Sequence, residues 1–310
     1  MEFLNDLLIS LSQFGNTLPG AAAQGMIWGI MAVGVYITFK VLDLADLTVD
    51  GSMVTGMAVC AMLMAAGWNV WPAMLIAILA GMACGLVTGI FHTLMGIPAI
   101  LAGILTQLIL WSVNLKIMGK ANQALPARSF PVLISQLEKY HALVILALFC
   151  AVIVILLYCF FGTKFGAALR ATGCNEKMAR AQGINTNMHK VVGLALSNGV
   201  VALSGALMAQ YSGKADINDG RGAIVIGLAA VIIGEALISK MPQNYVVRMT
   251  SVIVGGIIYY IVYQTVIFLG LDTDLLKMLS ALVVAVFLAV PYLKKTYFNK
   301  PKKKEVEPNA

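Results

Sequence analysis

Ala142-Leu-Val-Ile-Leu-Ala-Leu-Phe-Cys-Ala-Val-Ile-Val-Ile-Leu-Leu157 is apolar on every face. A barrel strand would alternate apolar and polar positions with period two. In lipid the other structure that satisfies its own backbone is the helix, so this stretch reads as a transmembrane helix. Outward from it the same composition continues: from Gly51 to Leu115 there is no Asp, Glu, Lys or Arg, and a run of about 20 apolar residues crosses a bilayer. Over all 310 residues, 60% are hydrophobic and 11% charged, with a mean hydropathy of +0.88. A soluble chain carries about 25% charged residues. A soluble enzyme and a disordered protein are excluded, and an all-α, polytopic membrane protein is expected.

Apolar length gives about nine spans, bounded by eight and ten, at roughly 18–39, 51–67, 72–94, 98–115, 142–161, 190–211, 222–239, 246–270 and 276–292. The second, fourth and seventh are short for a crossing and read as tilted, broken or re-entrant. The chain divides into an external segment 1–17, a membrane domain 18–292 and a basic tail 293–310. The N-terminus has Glu2 and Asp6 and no basic region, so no cleavable signal is expected. With the N-terminus outside, fourteen of the 21 Lys and Arg residues fall inside, among them Lys40, the loop 162–190 and six tail lysines. The positive-inside rule therefore favours a cytoplasmic C-terminus. The net charge of +7 comes largely from that tail, which reads as an anchor near anionic lipid rather than a nucleic-acid site. Cys60, Cys84, Cys150, Cys159 and Cys174 form no CxxC and read as small packing residues. Gly81-x-x-x-Gly85-x-x-x-Gly89 and Gly25-x-x-x-Gly29 place small residues along one helix face, a spacing for close helix packing.

The loop Gly166-Ala-Ala-Leu-Arg170-Ala-Thr-Gly173-Cys-Asn175-Glu176-Lys177-Met178-Ala179-Arg180-Ala181-Gln182-Gly183-Ile184-Asn185 is the first functional candidate. Asn175 suits a helix N-cap, Glu176 its first turn and Gly183 the left-handed position after its end. A helix of about two turns is marginal alone in water, so it needs something to dock against. Met178, Ala181 and Gln182 share one side. The plain alternative is a solvated connecting loop.

At this loop the sequence resembles the coupling-helix region of bacterial ABC importer permeases of the branched-chain amino acid and monosaccharide superfamily. The matching pattern is Leu169-Arg170-Ala171-x-Gly173-x-Asn175-x-x-x-Ala179-x-x-x-Gly183-Ile184. The glycine-rich first span, Gly20 to Gly34, and the polar break Leu42-Asp-Leu-Ala-Asp-Leu-Thr-Val-Asp-Gly51 are similar too. That break and Ile224-Val-Ile-Gly-Leu-Ala-Ala-Val-Ile-Ile-Gly-Glu-Ala236 resemble the tryptophan/tyrosine-type transport permeases. The resemblance covers roughly residues 18–292. It implies a membrane subunit that pairs with a second copy, binds ATP-binding subunits through Arg170, Gly173, Asn175, Glu176, Met178, Ala179 and Gly183, and receives an amino acid from an external or lipoprotein binding protein. The sequence has no Gly-x-x-x-x-Gly-Lys-Ser/Thr loop, so ATP and Mg would be bound by the partner. Neither a catalytic nor a metal site is expected. A stand-alone secondary transporter or channel is the alternative, but it would need coupling groups near the midplane.

Two acidic breaks, Ala45-Asp46-Leu-Thr48-Val-Asp50-Gly51 and Ala215-Asp216-Ile-Asn218-Asp219-Gly220, each end in Asp-Gly before an apolar helix. The expected topology puts the first on the inner and the second on the outer side, as in two inverted halves. Asp50 and Asp219 read as caps or turns; the alternative for Asp46, Thr48, Asp50 and Asp219 is the solute pathway. Gln107, Trp111 and Asn114 share one side of the fourth span, facing a polar passage or bonding between helices. Glu235 would seek Arg170, Lys240 or Arg248, or else reach water. His92 reads as a core or interfacial residue. The outer stretch 116–141 either receives a binding protein or packs over the outer mouth.

Overall fold

The computed structural model describes residues 2–125, 130–238 and 244–268, and single positions at 278, 281, 282, 285, 286 and 289; side chains are described from Gly15 onward. The expected ninth span and the basic tail lie essentially outside the described residues. The helices are α1 (Glu2–Tyr36), α2 (Val49–Ala65), α3 (Val70–Thr93), α4 (Ala99–Met118), α5 (Lys139–Gly162), α6 (Lys164–Cys174), α7 (Glu176–Ala181), α8 (Thr186–Ser212), α9 (Ala223–Leu237) and α10 (Tyr245–Phe268). A π-helical turn, Ile37–Val41, continues α1. Residues 2–17 are helical and continuous with the first span. Among the described residues, six helices are long and apolar enough to cross a membrane, and α2 and α9 are shorter apolar helices.

Local chemistry sets the helix ends. Asn69, Thr163, Asn175 and Asn185 each accept a backbone N–H from the first turn of α3, α6, α7 and α8. Pro98 precedes α4, and the left-handed Gly119 and Gly213 stop α4 and α8. α8 is the most enclosed of these helices apart from α1, and α1, α2 and α3 pack around it. The glycine stripe of α3 lies on α8: a methyl at Gly81 or Gly85 would strike the carbonyls of Asn198 or Leu194. Gly25 and Gly29 meet the backbone of α10 at Ile257 and Ile253. Leu75 and Leu79 on α3, Ile104 and Leu108 on α4, and Val144 and Leu148 on α5 are exposed, leaving apolar faces suited to hydrocarbon.

Two ends of the bundle are distinguishable. One gathers Lys40, α6, α7, Arg170 and Arg248. The other carries a two-stranded antiparallel ribbon of β1 (Asn122–Ala124) and β2 (Lys214–Asp216), with Gln123 opposite Ala215. The described part of 116–141 folds back over α8 at this end: Leu125 and Gln136 donate to the carbonyls of Gly213 and Tyr211, and Leu133 N–H to Gln210 Oε1. That is the packing alternative for this loop.

The acidic breaks start from opposite ends of the bundle, as expected, the first beside Lys40 and the second in the ribbon at Asp216, but they do not stay at the surfaces: their Asp-Gly ends meet inside the bundle. Asp46 bonds to Asn198, which lies twelve residues into α8, about 18 Å along its axis. The chain therefore leaves the π-turn at the basic end, returns irregularly to mid-depth, and only there begins α2, which runs alongside α8 toward the ribbon end. From the ribbon end, residues 217–222 return to the backbone of Asp50, and α9 runs from there to the basic end, where Glu235 meets Lys40. The second and seventh segments are thus the helical halves of broken crossings, each preceded by an irregular stretch, 42–48 and 217–222. The fourth, expected to be short, is a full-length helix.

Candidate functional site

The junction of the two broken crossings is built around two carboxylates. Asp46, 3% exposed, accepts the Thr48 backbone N–H at 2.9 Å and the Asn198 amide at 2.7 Å. The Asn198 oxygen in turn accepts the Ser52 hydroxyl. Thr48 lies 2.7 Å from the Thr88 hydroxyl, and Thr88 donates to Thr106 at 2.9 Å, so three hydroxyls link the first broken crossing to α3 and α4. Buried polar groups in lipid need partners, and here bonds between segments are added to those that Ser52, Thr88, Thr106 and Asn198 make to carbonyls of their own helices.

Asp50 sits in the first turn of α2, yet its carboxylate accepts the N–H groups of Gly222 at 3.0 Å and Ile224 at 2.9 Å. It therefore caps α9 rather than its own helix, whose N-cap, Thr48, makes no side-chain capping bond. Two helix N-termini, each carrying partial positive charge, converge on one anion. Asp219 does not cap α9: the helix starts after the left-handed Gly222, which leaves Asp219 upstream in the turn, 3.8 Å from Lys214 Nζ.

Gln107 reaches Asp50 only at 3.5 Å, whereas Asn114 accepts the Thr55 hydroxyl at 3.0 Å and donates to the Gly51 carbonyl. These residues bond between helices, and with Asp50 and Arg221 they line a cavity of about 20 Å³, room for about one water. Trp111 lies under the Arg221 guanidinium at 4.4 Å. A larger cavity of about 380 Å³ lies between α1, α9, α10 and the turn before α9. His92 Nδ1 lies 2.9 Å from the Ile97 carbonyl and closes the α3–α4 turn.

At the basic end the short helix forms as expected. Asn175 accepts the Met178 N–H at 3.0 Å, and Gly183, at φ +78°, lets Ile184 and Gly183 bond back to Ala179 and Arg180. The docking partner is this chain itself. Ala179 is buried, and Glu176 accepts Arg180 at 2.6 Å and Lys190 at 2.8 Å, tying α7 to the start of α8. The Lys190 ammonium beside Glu176, with Arg180, holds its carboxyl below the usual carboxylate range. Met178 is 63% exposed, and Ala181 and Gln182 beside it are exposed as well. Gly173 abuts the Val41 carbonyl, where any side chain would clash. Arg170 turns inward, 4.8 Å over the Tyr245 ring. These last two hold α6 to the π-helical turn after α1 and to α10.

Glu235 pairs with Lys40 at 2.8 Å, not with Arg170 or Arg248; Lys240 lies outside the described residues. The end of α9 falls beside the π-turn of α1, a proximity that linear spacing does not show. Sequence reasoning also passed over Asn198, Ser52, Thr88, Thr106, Trp28, Tyr260 and Arg221. Asn198 had a signal: it is an amide midway along a long apolar helix. Among the described residues no group of three or more metal-ligating side chains occurs.

Residues 18–290 match the family model described as branched-chain amino acid transport system / permease component. The chain is 41% identical over 266 residues to the tyrosine transport system permease protein of Clostridioides difficile, covering 86% of this chain and 88% of that protein. It is 32% identical over 276 residues to an uncharacterised protein of Rickettsia prowazekii, covering 88% and 97%. It is 29% identical over 227 residues to the autoinducer 2 import system permease protein LsrC of Yersinia pseudotuberculosis, covering 70% and 61%. No solved structure matches the chain.

Proposed function

We propose that this chain, which belongs to the family of branched-chain amino acid transport system permease components, is the membrane subunit of an ABC importer that brings an aromatic amino acid into a bacterial cell. A permease component conducts solute and leaves ATP hydrolysis to another chain. In this reading ATP and Mg are bound by a separate ATP-binding subunit, and an external or lipoprotein binding protein delivers the substrate. The permease works as a homodimer in the cytoplasmic membrane, with its N-terminus outside and its C-terminus in the cytoplasm.

The observation that carries the reading is the α7 knob. It is six residues long, capped at both ends and cross-linked to α8 by Glu176, and it presents Met178, Ala181 and Gln182 outward. A braced projection with Met178 and Ala181 exposed beside Gln182 suits a socket on another protein. Movement at that socket would pass through α6 and α8 to the junction at Asp46 and Asp50. Nucleotide closure then does work through contacts that differ between two states of the helices. Two further features support the reading: basic residues gather at the α7 end, and the Clostridioides difficile relative is named for tyrosine.

The test is copurification with the ATP-binding subunit and ATP-driven uptake of L-tyrosine. Met178→Asp should abolish both while the permease elutes and melts like the parent chain. Retention of the ATPase by that variant overturns the coupling assignment.

A further inference from the structure

The larger cavity, about 380 Å³, falls within the roughly 300–1,000 Å³ that small-molecule sites occupy. Its aromatic wall comes from α1 and α10: Trp28 and Tyr260 stack at 5.8 Å and 26°, and Tyr263 follows at 5.7 Å from Tyr260. Trp28 is 5% exposed, and its indole Nε1 has no hydrogen-bond partner among the described residues. A buried donor left unmade is costly, and a partner oxygen would relieve it. The turn before α9 adds charges of both signs. Asp219 shares its carboxylate with Lys214 at 3.8 Å, and Arg221 rests on Trp111 with no carboxylate paired to it among the described residues.

We infer that this cavity binds a free aromatic amino acid during its passage through the permease. The ring packs against Tyr260 and Tyr263, Arg221 takes the carboxylate, Asp219 takes the ammonium, and the Trp28 N–H donates to a phenolic oxygen. An aliphatic amino acid would satisfy the charges and leave the aromatic wall uncovered. A phenol would satisfy the ring and leave Arg221 unpaired. The inference deepens the importer reading and rests on it for the direction of transport only.

The experiment uses the assembled complex in nanodiscs, with the five cysteines of the permease replaced and Val225→Cys introduced on the cavity wall. The rate of thiol labelling at position 225 is measured with and without L-tyrosine, L-phenylalanine and L-alanine. L-tyrosine should slow labelling severalfold, L-phenylalanine less, and L-alanine not at all. Tyr263→Leu should weaken the protection about fivefold, the size of one aromatic contact. Arg221→Gln should weaken it as well, and Trp28→Phe should equalise tyrosine and phenylalanine. Each variant is first checked for assembly. Equal labelling with and without L-tyrosine overturns the inference, as does equal protection by L-alanine. ATP-driven uptake is followed in the same preparations. Protection without uptake keeps the site and removes the importer reading, whereas uptake of L-tyrosine without protection keeps the importer and removes the site.

Discussion

Asp50→Ala removes the anion on which α2 and α9 converge. Two backbone N–H groups, at Gly222 and Ile224, lose their acceptor. Hydrogen bonds to a charged group contribute about 1.5–3 kcal/mol each, and the helix dipole adds roughly 0.3–1 kcal/mol. The surroundings are half-buried, so water recovers part of this, and about 3 kcal/mol of local stability should be lost. Asp50→Asn keeps one carbonyl oxygen and no charge, and should lose about half as much. The appropriate assay is local: hydrogen exchange of the amides at 222–226 in the purified permease. A loss of about 3 kcal/mol is roughly a hundredfold increase in opening. The alanine variant should show that increase in the first turn of α9, the asparagine variant about a tenth of it, and α10 neither. Unchanged exchange at 222–226 in Asp50→Ala would refute the claim that a carboxylate from one broken crossing holds the other.

Glu176 has a carboxyl lowered below its ordinary 4.5 by Lys190 and Arg180; its contribution to holding α7 is therefore complete above that value and lost as pH falls through the lowered one. Limited proteolysis at Lys177 should be flat from neutral pH down to that range and rise only below it, and Glu176→Gln should remove the dependence. Lys40→Met and Glu235→Gln should each lower ATP-driven uptake at unchanged complex yield, and the double variant should match the singles; additive losses in uptake would mean the two side chains act separately. Since both are about one-third exposed, neither should cost more than about 1 kcal/mol of stability. Gly173→Leu should push α6 off the Val41 carbonyl, costing about 1–3 kcal/mol and the copurifying ATPase; a variant that keeps both would show that α6 tolerates displacement.

The spans were legible because hydropathy reads composition, and composition is what lipid selects. The α7 knob was legible for a different reason: Asn175, Glu176 and Gly183 act on neighbours within a turn or two, so their spacing already contains their geometry. Depth was not legible. An irregular stretch followed by a short apolar helix gives the same profile whether the stretch lies at the surface or returns into the bundle. Long-range bonds separate the two cases, such as that from Asp46 to Asn198, 152 positions away. The Glu235 pairing failed in the same way, because linear order placed three basic residues nearer than Lys40. The aromatic cavity draws Trp28, Tyr260 and Arg221 from three separate segments, and no local pattern joins them.

The seam where α2 and α9 abut has a mechanical consequence. Along that line no continuous rod runs from one membrane surface to the other; two half-rods butt tip to tip and are held by one side chain. A push on the lower rod is absorbed at the seam unless the clasp stays shut. With the clasp open, the contacts left to the halves are those that each makes with its own neighbours, α2 with α8 and α3, α9 with α10 and α1.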